Sequence, residues 1–257
     1  MPLYVAGGAY RRRRALWSRP SAVAVSTNTQ SAHFDGVDDK VTAAAVSVGG
    51  AGTAYTVHCF INLDAVPASL QHWLLQISAD NRAVMLSIRE TGVLRFGVKS
   101  GATFPTIDST TAPTTGTWYE IYAVRNAGTI KLGVNRSQEA TTTFTDSDCS
   151  GGDFSIGENV DALMDDVRIF NVELNATNLA LLTVANIGKK PSAITGWDTA
   201  NAADTNQLRL YNFESPWSNA TVNTANQVKD TGNDASNGTG VNFAGTAVSG
   251  VSTTVPS

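Results

Sequence analysis

The stretch AYTVHCFINL, residues 54–63, indicates the fold class of this chain. Side chains of a β-strand point alternately to opposite faces, so the odd-numbered residues from Tyr55 to Leu63 form one apolar face. Thr56, His58 and Asn62 lie between them. An apolar–polar period of two over ten residues predicts a long strand with one face on a core.

Similar short runs occur on both sides of this strand, and turn residues separate them. Gly92 follows Glu90-Thr91, and Gly128 follows Asn126-Ala127, and both segments are typical of β-hairpin turns. The further predicted strands are Ala22–Ser26, Ser31–Asp35, Val37–Thr42, Trp73–Ile77, Ala83–Arg89, Val93–Val98, Trp118–Arg125, Thr129–Asn135, Gln138–Phe144, Phe154–Gly157, Leu163–Phe170, Gln207–Phe213 and Val241–Val248. This pattern predicts an all-β antiparallel sandwich or barrel.

One helix interrupts the strands. Asn175 is a suitable N-cap, an apolar stripe runs from Leu179 to Ile187, and Gly188 is a suitable terminator. We therefore expect a single short helix ending at Gly188.

Charge is distributed unevenly along the 257 residues. The net charge is −4, but residues 1–20 carry five arginines and no acid, which leaves 13 basic and 22 acidic residues in the remainder. The arginines Arg11, Arg12, Arg13 and Arg14 are adjacent, and Trp17 follows them. A basic segment with an aromatic anchor on an acidic body predicts an extended N-terminal arm that binds a partner, with a solvated tail as the alternative.

Five segments resemble, in order, the motifs of the laminin G-like, concanavalin A-like lectin and glucanase domain family. They are HFDGVDDKV (33–41), YTVHCFI (55–61), the strand from GTWY (116–119) to Arg125, TIKLGVN (129–135) and MDDVRIFN (164–171). The resemblance covers about 31–187, and it implies a concanavalin A-like jelly roll. LRLYNFE (208–214) and KDTGNDA (229–235) resemble segments that precede the first of these motifs in many relatives. We therefore expect residues 1–20 to form the arm and 21–257 one sandwich, which 207–248 complete in circularly permuted order.

No pattern for catalysis stands out. Glucanases with this architecture carry an ExDxxE strand motif, which is missing here, and nothing nominates a carboxylate pair for glycoside cleavage. His33, His58 and His72 lack metal-ligand spacing, so we interpret them as structural or surface residues. Cys59 lies in an apolar strand, whereas Cys149 lies in a polar run, and their pairing stays open. We expect a protein that is not an enzyme.

Calcium is the expected ion if a metal is bound, because relatives of this family often hold a structural calcium. Asp165 follows the alternation of Val167 and is predicted to point inward, where a carboxylate needs a partner or a metal. The candidate ligands are Asp165, Asp230, Asn233 and Asp35. The alternative is that these side chains hydrogen-bond to turn backbones. Trp73, Trp197 and Trp217 have polar neighbours, but we interpret them as packing residues and assign no sugar site.

The family resemblance and the arm predict a structural, decoration or adhesion protein of a phage virion in the capsid, neck or tail. Its arm would bind other virion proteins, its sandwich would face outward toward host-surface glycans, and it would form a homo-oligomer. The alternative is a stand-alone extracellular lectin, and a glycoside hydrolase is a weaker one. No apolar run reaches 18 residues, and the N-terminus lacks a continuous apolar region. We therefore expect neither a membrane span nor a signal peptide, and no nucleic-acid partner.

Overall fold

The structure, a computed structural model, describes residues 31–44, 52–78, 81–146, 154–213, 227–228, 238–241 and 256. Two mostly antiparallel sheets form a β-sandwich, so the predicted fold class is confirmed. The seven-stranded sheet contains β1 (Ala32–Asp35), β3 (Ala54–Leu63), β8 (Trp118–Asn126), β9 (Thr129–Val134), β10 (Ser137–Thr143), β12 (Asp161–Phe170) and β13 (Gln207–Tyr211). The eight-stranded sheet contains β2 (Lys40–Ala43), β4 (Gln71–Ser78), β5 (Asn81–Ile88), β6 (Leu94–Val98), β7 (Thr106–Asp108), β11 (Phe154–Ile156), β14 (Gln227–Val228) and β15 (Gly238–Val241).

The strand order brings distant parts of the chain together. The seven-stranded sheet runs β1–β12–β3–β8–β9–β10, and the eight-stranded sheet runs β14–β15–β2–β11–β4–β5–β6–β7. The first half of β12 pairs with β1 and its second half with β13, along the same edge. Because β13 pairs with β12 and β15 pairs with β2, the chain after residue 206 adds strands to both sheets.

The core lies between the two sheets. The apolar face of β3 from Tyr55 to Leu63 faces it, as the alternation predicts. Opposite side chains come from the eight-stranded sheet, and they include Trp73, Leu86 and Phe96, all fully buried. Sheets with alternating apolar residues pack face to face in this way because each buries its apolar side.

The outer face of the seven-stranded sheet is also covered, which alternation alone did not indicate. Residues 171–206 cross this face, and the Thr56 hydroxyl joins them to β3 by donating to Val172 O (2.8 Å) and accepting from Leu174 N (3.0 Å). A second apolar cluster lies under the crossing segment and contains Phe170, Leu174, Leu182, Ile194, Trp197 and Ala202. Polar strand positions such as His58 and Asn62 are therefore buried.

The helix is shorter than the sequence predicts. Helix α1 spans Ala176–Leu181, with Asn175 Oδ1 accepting from Asn178 N as its N-cap (2.9 Å), and 3-10 turns follow at 184–186, 191–193 and 204–206. The predicted end at Gly188 is wrong because side chains hydrogen-bond to backbone carbonyls before that residue, in place of further helical hydrogen bonds. Asn186 Nδ2 donates to Leu181 O (2.8 Å), and the buried Arg168 guanidinium donates to Asn186 O (2.6 Å). The first contact satisfies a carbonyl at the end of α1, and the second holds the 3-10 turn that follows it.

Strand β12 contains a β-bulge where the sequence predicts a continuous strand. Asp165 pairs with Phe60 and Arg168 with His58, so two residues of β12 lie opposite one residue of β3. Asp166 has a φ of 51°, in the left-handed region. Asp165 is fully buried, but the extra residue breaks its alternation with Val167, which faces the core. The expectation that these two residues share a face is therefore wrong.

Candidate functional site

A groove runs along β8 on the outer face of the seven-stranded sheet. Trp118, Glu120, Tyr122 and Val124 alternate with the core residues of β8 and line its floor. Two hollows of about 350 and 230 Å³ make up the groove, and Arg136 borders both. We call this feature the β8 groove.

The tyrosine of the floor depends on a glycine in the next strand. Gly133 of β9 pairs with Tyr122, and a Cβ at residue 133 would lie 2.1 Å from the tyrosine ring. The missing side chain therefore lets the ring lie over the neighbouring strand. Burial raises the pKa of Tyr122, and the charges of Glu120 and Glu139 raise it further, so the phenol is neutral and offers a donor and an acceptor.

The larger hollow has polar walls. Helix α1 and the segment before it form one side, with Glu173 and Asn175 beside the small residues Ala176 and Ala180. Lys131 and Gln138 of β9 and β10 line the other side. Lys131 Nζ donates to Glu173 Oε1 at 2.5 Å. An aromatic floor with amide, carboxylate and ammonium groups above it is suited to a small polar ligand.

Arg136 stands where the two hollows meet. It follows Asn135 in the β9–β10 turn, and both have positive φ, 48° for Asn135 and 68° for Arg136. Such a turn suits Asn at its first position and Gly at its second, so a left-handed arginine is strained. Its side chain is about half exposed, and its Nε donates to Glu120 Oε2 (2.9 Å). Asn135 Oδ1 accepts from Glu120 N (3.0 Å) and so holds the turn against the groove.

The smaller hollow contains unpaired polar atoms. Trp118 Nε1 and Glu120 Oε1 are buried and have no hydrogen-bond partner among the described residues. Phe60, Val184 and Pro256 complete the lining. A buried donor or acceptor without a partner is costly, so a hydroxyl or water that reached these atoms would be held there.

Beside the floor, on the neighbouring strands β3 and β12, lies a buried chain of charged and polar groups. Arg168 makes a bidentate pair with Asp166 (2.7 and 2.9 Å), and both residues are fully buried. His58 lies between the two carboxylates, 3.9 Å from Asp166 Oδ2 and 3.5 Å from Glu120 Oε1. Asp166 Oδ1 also accepts from Gly188 N (2.9 Å), which ties the crossing segment to the sheet.

A separate concentration of carboxylates lies where β1 and β3 end and β12 begins. One oxygen each of Asp35, Asp38 and Asp39 lies within 4.8 Å of the others. A second group with the same spacing consists of His33, Asp64 and Asp161, and His33 Nε2 lies 2.8 Å from Asp64 Oδ2. Asp35 and Asp161 are paired residues of β1 and β12, so the groups adjoin. We call them together the acidic corner.

The family follows from comparison with known proteins. A family model described as the concanavalin A-like lectin/glucanases superfamily, of the laminin G type, matches residues 35–180. The chain belongs to this family. The matched region contains the floor of the β8 groove and nearly all of the acidic corner, so both features lie in the superfamily domain.

Solved structures share the superfamily fold. A heptameric SAP-like pentraxin from Limulus polyphemus matches with a TM-score of 0.53 and 14% identity, covering 68% of this chain and 90% of the pentraxin. A putative carbohydrate binding protein from Bacteroides ovatus matches with a TM-score of 0.58 and 17% identity, covering 83% of this chain and 58% of that protein. At such identities the likeness shows the fold. No curated protein matches in sequence.

The predicted calcium ligands do not come together in the part of the chain that the structure describes. Asp35 joins the acidic corner, whereas Asp165 lies four residues along β12 from the partner of Asp35, about 13 Å away. Asp165 Oδ1 accepts from Asp166 N (2.7 Å) at the bulge. Asp230 and Asn233 lie outside the described residues. Calcium binding by the four predicted ligands stays a prediction.

The other residues singled out in the sequence are either packing residues or lie outside the part of the chain that the structure describes. Trp73 is fully buried in the core, and Trp197 stacks on Phe170, so both are packing residues as interpreted. The arm residues Arg11, Arg12, Arg13, Arg14 and Trp17, together with Trp217 and Cys149, lie outside the described residues. Cys59 is a free, buried thiol. No helix among the residues described here is long and apolar enough to cross a membrane.

The groove residues were missed by sequence reasoning. Trp118, Glu120 and Tyr122 occur at alternate positions of a correctly predicted strand, and this spacing was the available signal. Whether they line an open groove depends on which stretch of the outer face the crossing segment covers. Contacts between segments far apart in sequence determine which stretch of the outer face stays open.

Proposed function

We propose that this superfamily member is a lectin-like module that binds a small carbohydrate in the β8 groove. The observation that carries the proposal is Arg136, which keeps a strained left-handed backbone and extends a half-exposed guanidinium between the two hollows. Strained residues often mark functional sites, because the surrounding structure must impose the conformation. Glu120 accepts a hydrogen bond from this guanidinium (2.9 Å) and so fixes its position at the border of the two hollows.

The chemistry of the groove suits neutral sugar hydroxyls. Two ion pairs, Arg136–Glu120 and Lys131–Glu173, line the groove. Their side chains offer hydrogen-bond donors and acceptors, and each pair has a net charge of zero. Vicinal hydroxyls are bound well by such fixed donor–acceptor pairs. Tyr122, which is 4% exposed, lines the larger hollow beside them.

We infer binding without cleavage. A glycosidase needs one carboxylic acid with a raised pKa near a second carboxylate. Here burial raises the pKa of Glu173, but hydrogen bonds from Lys131 and Asn126 outweigh it, so the pKa is lowered. The Glu120 carboxylate forms an ion pair with Arg136 (2.9 Å). Incubation of the protein with any oligosaccharide that it binds should release no shorter product, and released product would refute this inference.

The binding proposal is tested with the full-length protein on a glycan array, followed by calorimetry with the strongest ligand. Arg136→Gly keeps the turn geometry and relieves the strained backbone, so the variant should remain folded. Loss of a charged hydrogen-bond donor should weaken binding about 10- to 100-fold. Glu90→Gln, an exposed change in a turn of the other sheet, is the matched control and should bind normally. An array without ligands, or unchanged affinity of the arginine variant, would refute the proposal.

We propose virion assembly as a second function, with the lectin-like module facing outward from a phage particle. The supporting feature is in the sequence: four adjacent arginines, Arg11 to Arg14, and Trp17 precede an acidic domain. A basic segment with an aromatic anchor is suited to folding onto a protein surface. The full chain and a chain without residues 1–20 should be compared for incorporation into purified particles. Equal incorporation would contradict the anchoring role of the arm.

A further inference from the structure

The smaller hollow of the β8 groove offers one unpaired donor and one unpaired acceptor. Trp118 Nε1 is an N–H donor and Glu120 Oε1 is a carboxylate acceptor, and neither atom has a hydrogen-bond partner among the described residues. The Glu120 residue is only 5% exposed. Buried polar atoms in proteins are nearly always paired, so two unpaired atoms at one hollow indicate a place that a further molecule completes.

The remainder of Glu120 is fixed, which leaves this one oxygen for a ligand. Its Oε2 accepts from Arg136 Nε (2.9 Å), and its backbone N–H donates to Asn135 Oδ1 (3.0 Å). His58 Nε2 lies 3.5 Å from Glu120 Oε1 but does not form a hydrogen bond with it. The carboxylate is therefore held in place through one oxygen while the other stays available, as a preorganised acceptor requires.

The other walls of the smaller hollow are largely apolar. Phe60, Val184 and Pro256 line it beside the two polar residues. Phe60 and Pro256 are buried, and Val184 is half-buried. The volume of about 230 Å³ exceeds the roughly 30 Å³ that one water occupies in the liquid, so a group of several heavy atoms fits. A small group with one donor, one acceptor and one apolar end would match all of these walls.

An acetamido group has this combination. Its N–H can donate to Glu120, its carbonyl can accept from the indole of Trp118, and its methyl can pack on the apolar walls. A trans amide presents its N–H and its C=O in opposite directions. Trp118 and Glu120 are separated by one residue on the same face of β8, so their Cα atoms lie about 7 Å apart and an amide can lie between the two side chains.

We propose that the β8 groove selects N-acetylated sugars and that the acetamido group of the sugar enters the smaller hollow. This inference rests on the carbohydrate binding proposed above. Other sugar substituents match the walls less well. A hydroxyl can pair with the polar atoms but places a polar group against the apolar walls. An ammonium group has no acceptor for the indole N–H, and a carboxylate would be repelled by Glu120.

The test is calorimetry on the full-length protein with methyl glycosides of N-acetylglucosamine and N-acetylgalactosamine, each compared with its parent hexose, glucose or galactose. Two hydrogen bonds to buried atoms, one of them charged, should make an N-acetylated sugar bind about 10- to 100-fold more tightly than its parent hexose. The corresponding amino sugars without the acetyl group should gain no such advantage. In saturation-transfer NMR spectra, the acetyl methyl should receive more saturation than the other sugar protons.

Two variants locate the selection in the smaller hollow. Trp118→Phe removes the indole N–H and keeps an apolar ring, so the affinity ratio of N-acetylated to parent sugar should fall to within about threefold. Val184→Phe changes a half-buried turn residue and narrows the hollow, so it should lower the ratio as well, and it serves if Trp118→Phe does not fold. Glu90→Gln is the control and should keep the wild-type ratio. A wild-type ratio in the folded hollow variants would overturn the proposal.

Failure of this inference can be distinguished from failure of the proposed function. Equal affinities for the N-acetylated and parent sugars would overturn the acetamido assignment and leave carbohydrate binding standing. A glycan array whose ligands all lack N-acetyl groups would have the same meaning. An array without any ligand would remove both proposals together.

Discussion

Replacing Asp39 by asparagine should stabilise the metal-free protein at pH 7. The pKa of this carboxyl rises from 3.8 in the unfolded reference to about 6 in the folded protein, because the folded state buries it beside Asp35 and Asp38. One pKa unit corresponds to about 1.4 kcal/mol, so the ionised carboxylate costs the folded state at most about 3 kcal/mol. The amide of the variant carries no charge and its N–H can donate to the remaining carboxylates.

The sign of the pH dependence follows from the direction of the shift. Between about pH 4 and pH 6 the folded protein binds a proton at Asp39 that the unfolded chain has released, so this residue makes stability fall as pH rises. At about pH 3 and below, the carboxyl is largely protonated in both states, and it costs almost nothing. The Asp39→Asn variant should therefore exceed the wild type by about 1–3 kcal/mol at pH 7 and match it at about pH 3.

Urea denaturation in EGTA at the two pH values measures this difference. Asp38→Asn is the control for charge alone, because Asp38 is exposed and its removal should change stability by less than about 1 kcal/mol. A variant that is less stable than the wild type in EGTA at pH 7 would refute the reasoning, as would an equal gain at both pH values.

Three further predictions concern the core and the groove. Asp166→Asn leaves a buried guanidinium without its carboxylate, so urea denaturation should show a loss of about 3–5 kcal/mol, and a loss under 1 kcal/mol would contradict the buried pair. Gly133→Ala should lower stability by about 1–3 kcal/mol by displacing the Tyr122 ring, and an unchanged Tm would contradict the contact. Burial raises the pKa of the Cys59 thiol. In a Cys149→Ala variant, this thiol should therefore react with Ellman's reagent at pH 8 only after denaturant is added. Rapid reaction in buffer would show that the thiol is accessible.

Local patterns in the sequence were enough for most strands among the described residues, although β7, β14 and β15 were not predicted. The predicted strand Ala22–Ser26 lies outside the described residues, as does the predicted strand Val241–Val248 beyond its first residue. The alternation in β3 and the glycine-containing turns at Gly92 and Gly128 act over two to four residues, and the structure has these features where they were predicted. Both glycines have positive φ, 81° in each case. The sandwich and the superfamily were predictable for the same reason, because several such motifs follow one another in a recognisable order.

The sequence by itself determined which segments are strands and which faces are apolar, since these depend on neighbours along the chain. The tertiary structure decided where β12 bulges, where α1 ends and which stretch of the outer face stays open. It also decided that Asp35 lies beside Asp39 and Asp161 and away from Asp165. Strand pairing and the crossing segment join residues separated by 100 positions or more, and no local period encodes such contacts. The β8 groove depends on such contacts because the crossing segment forms one of its walls, and this is why the sequence alone did not assign it.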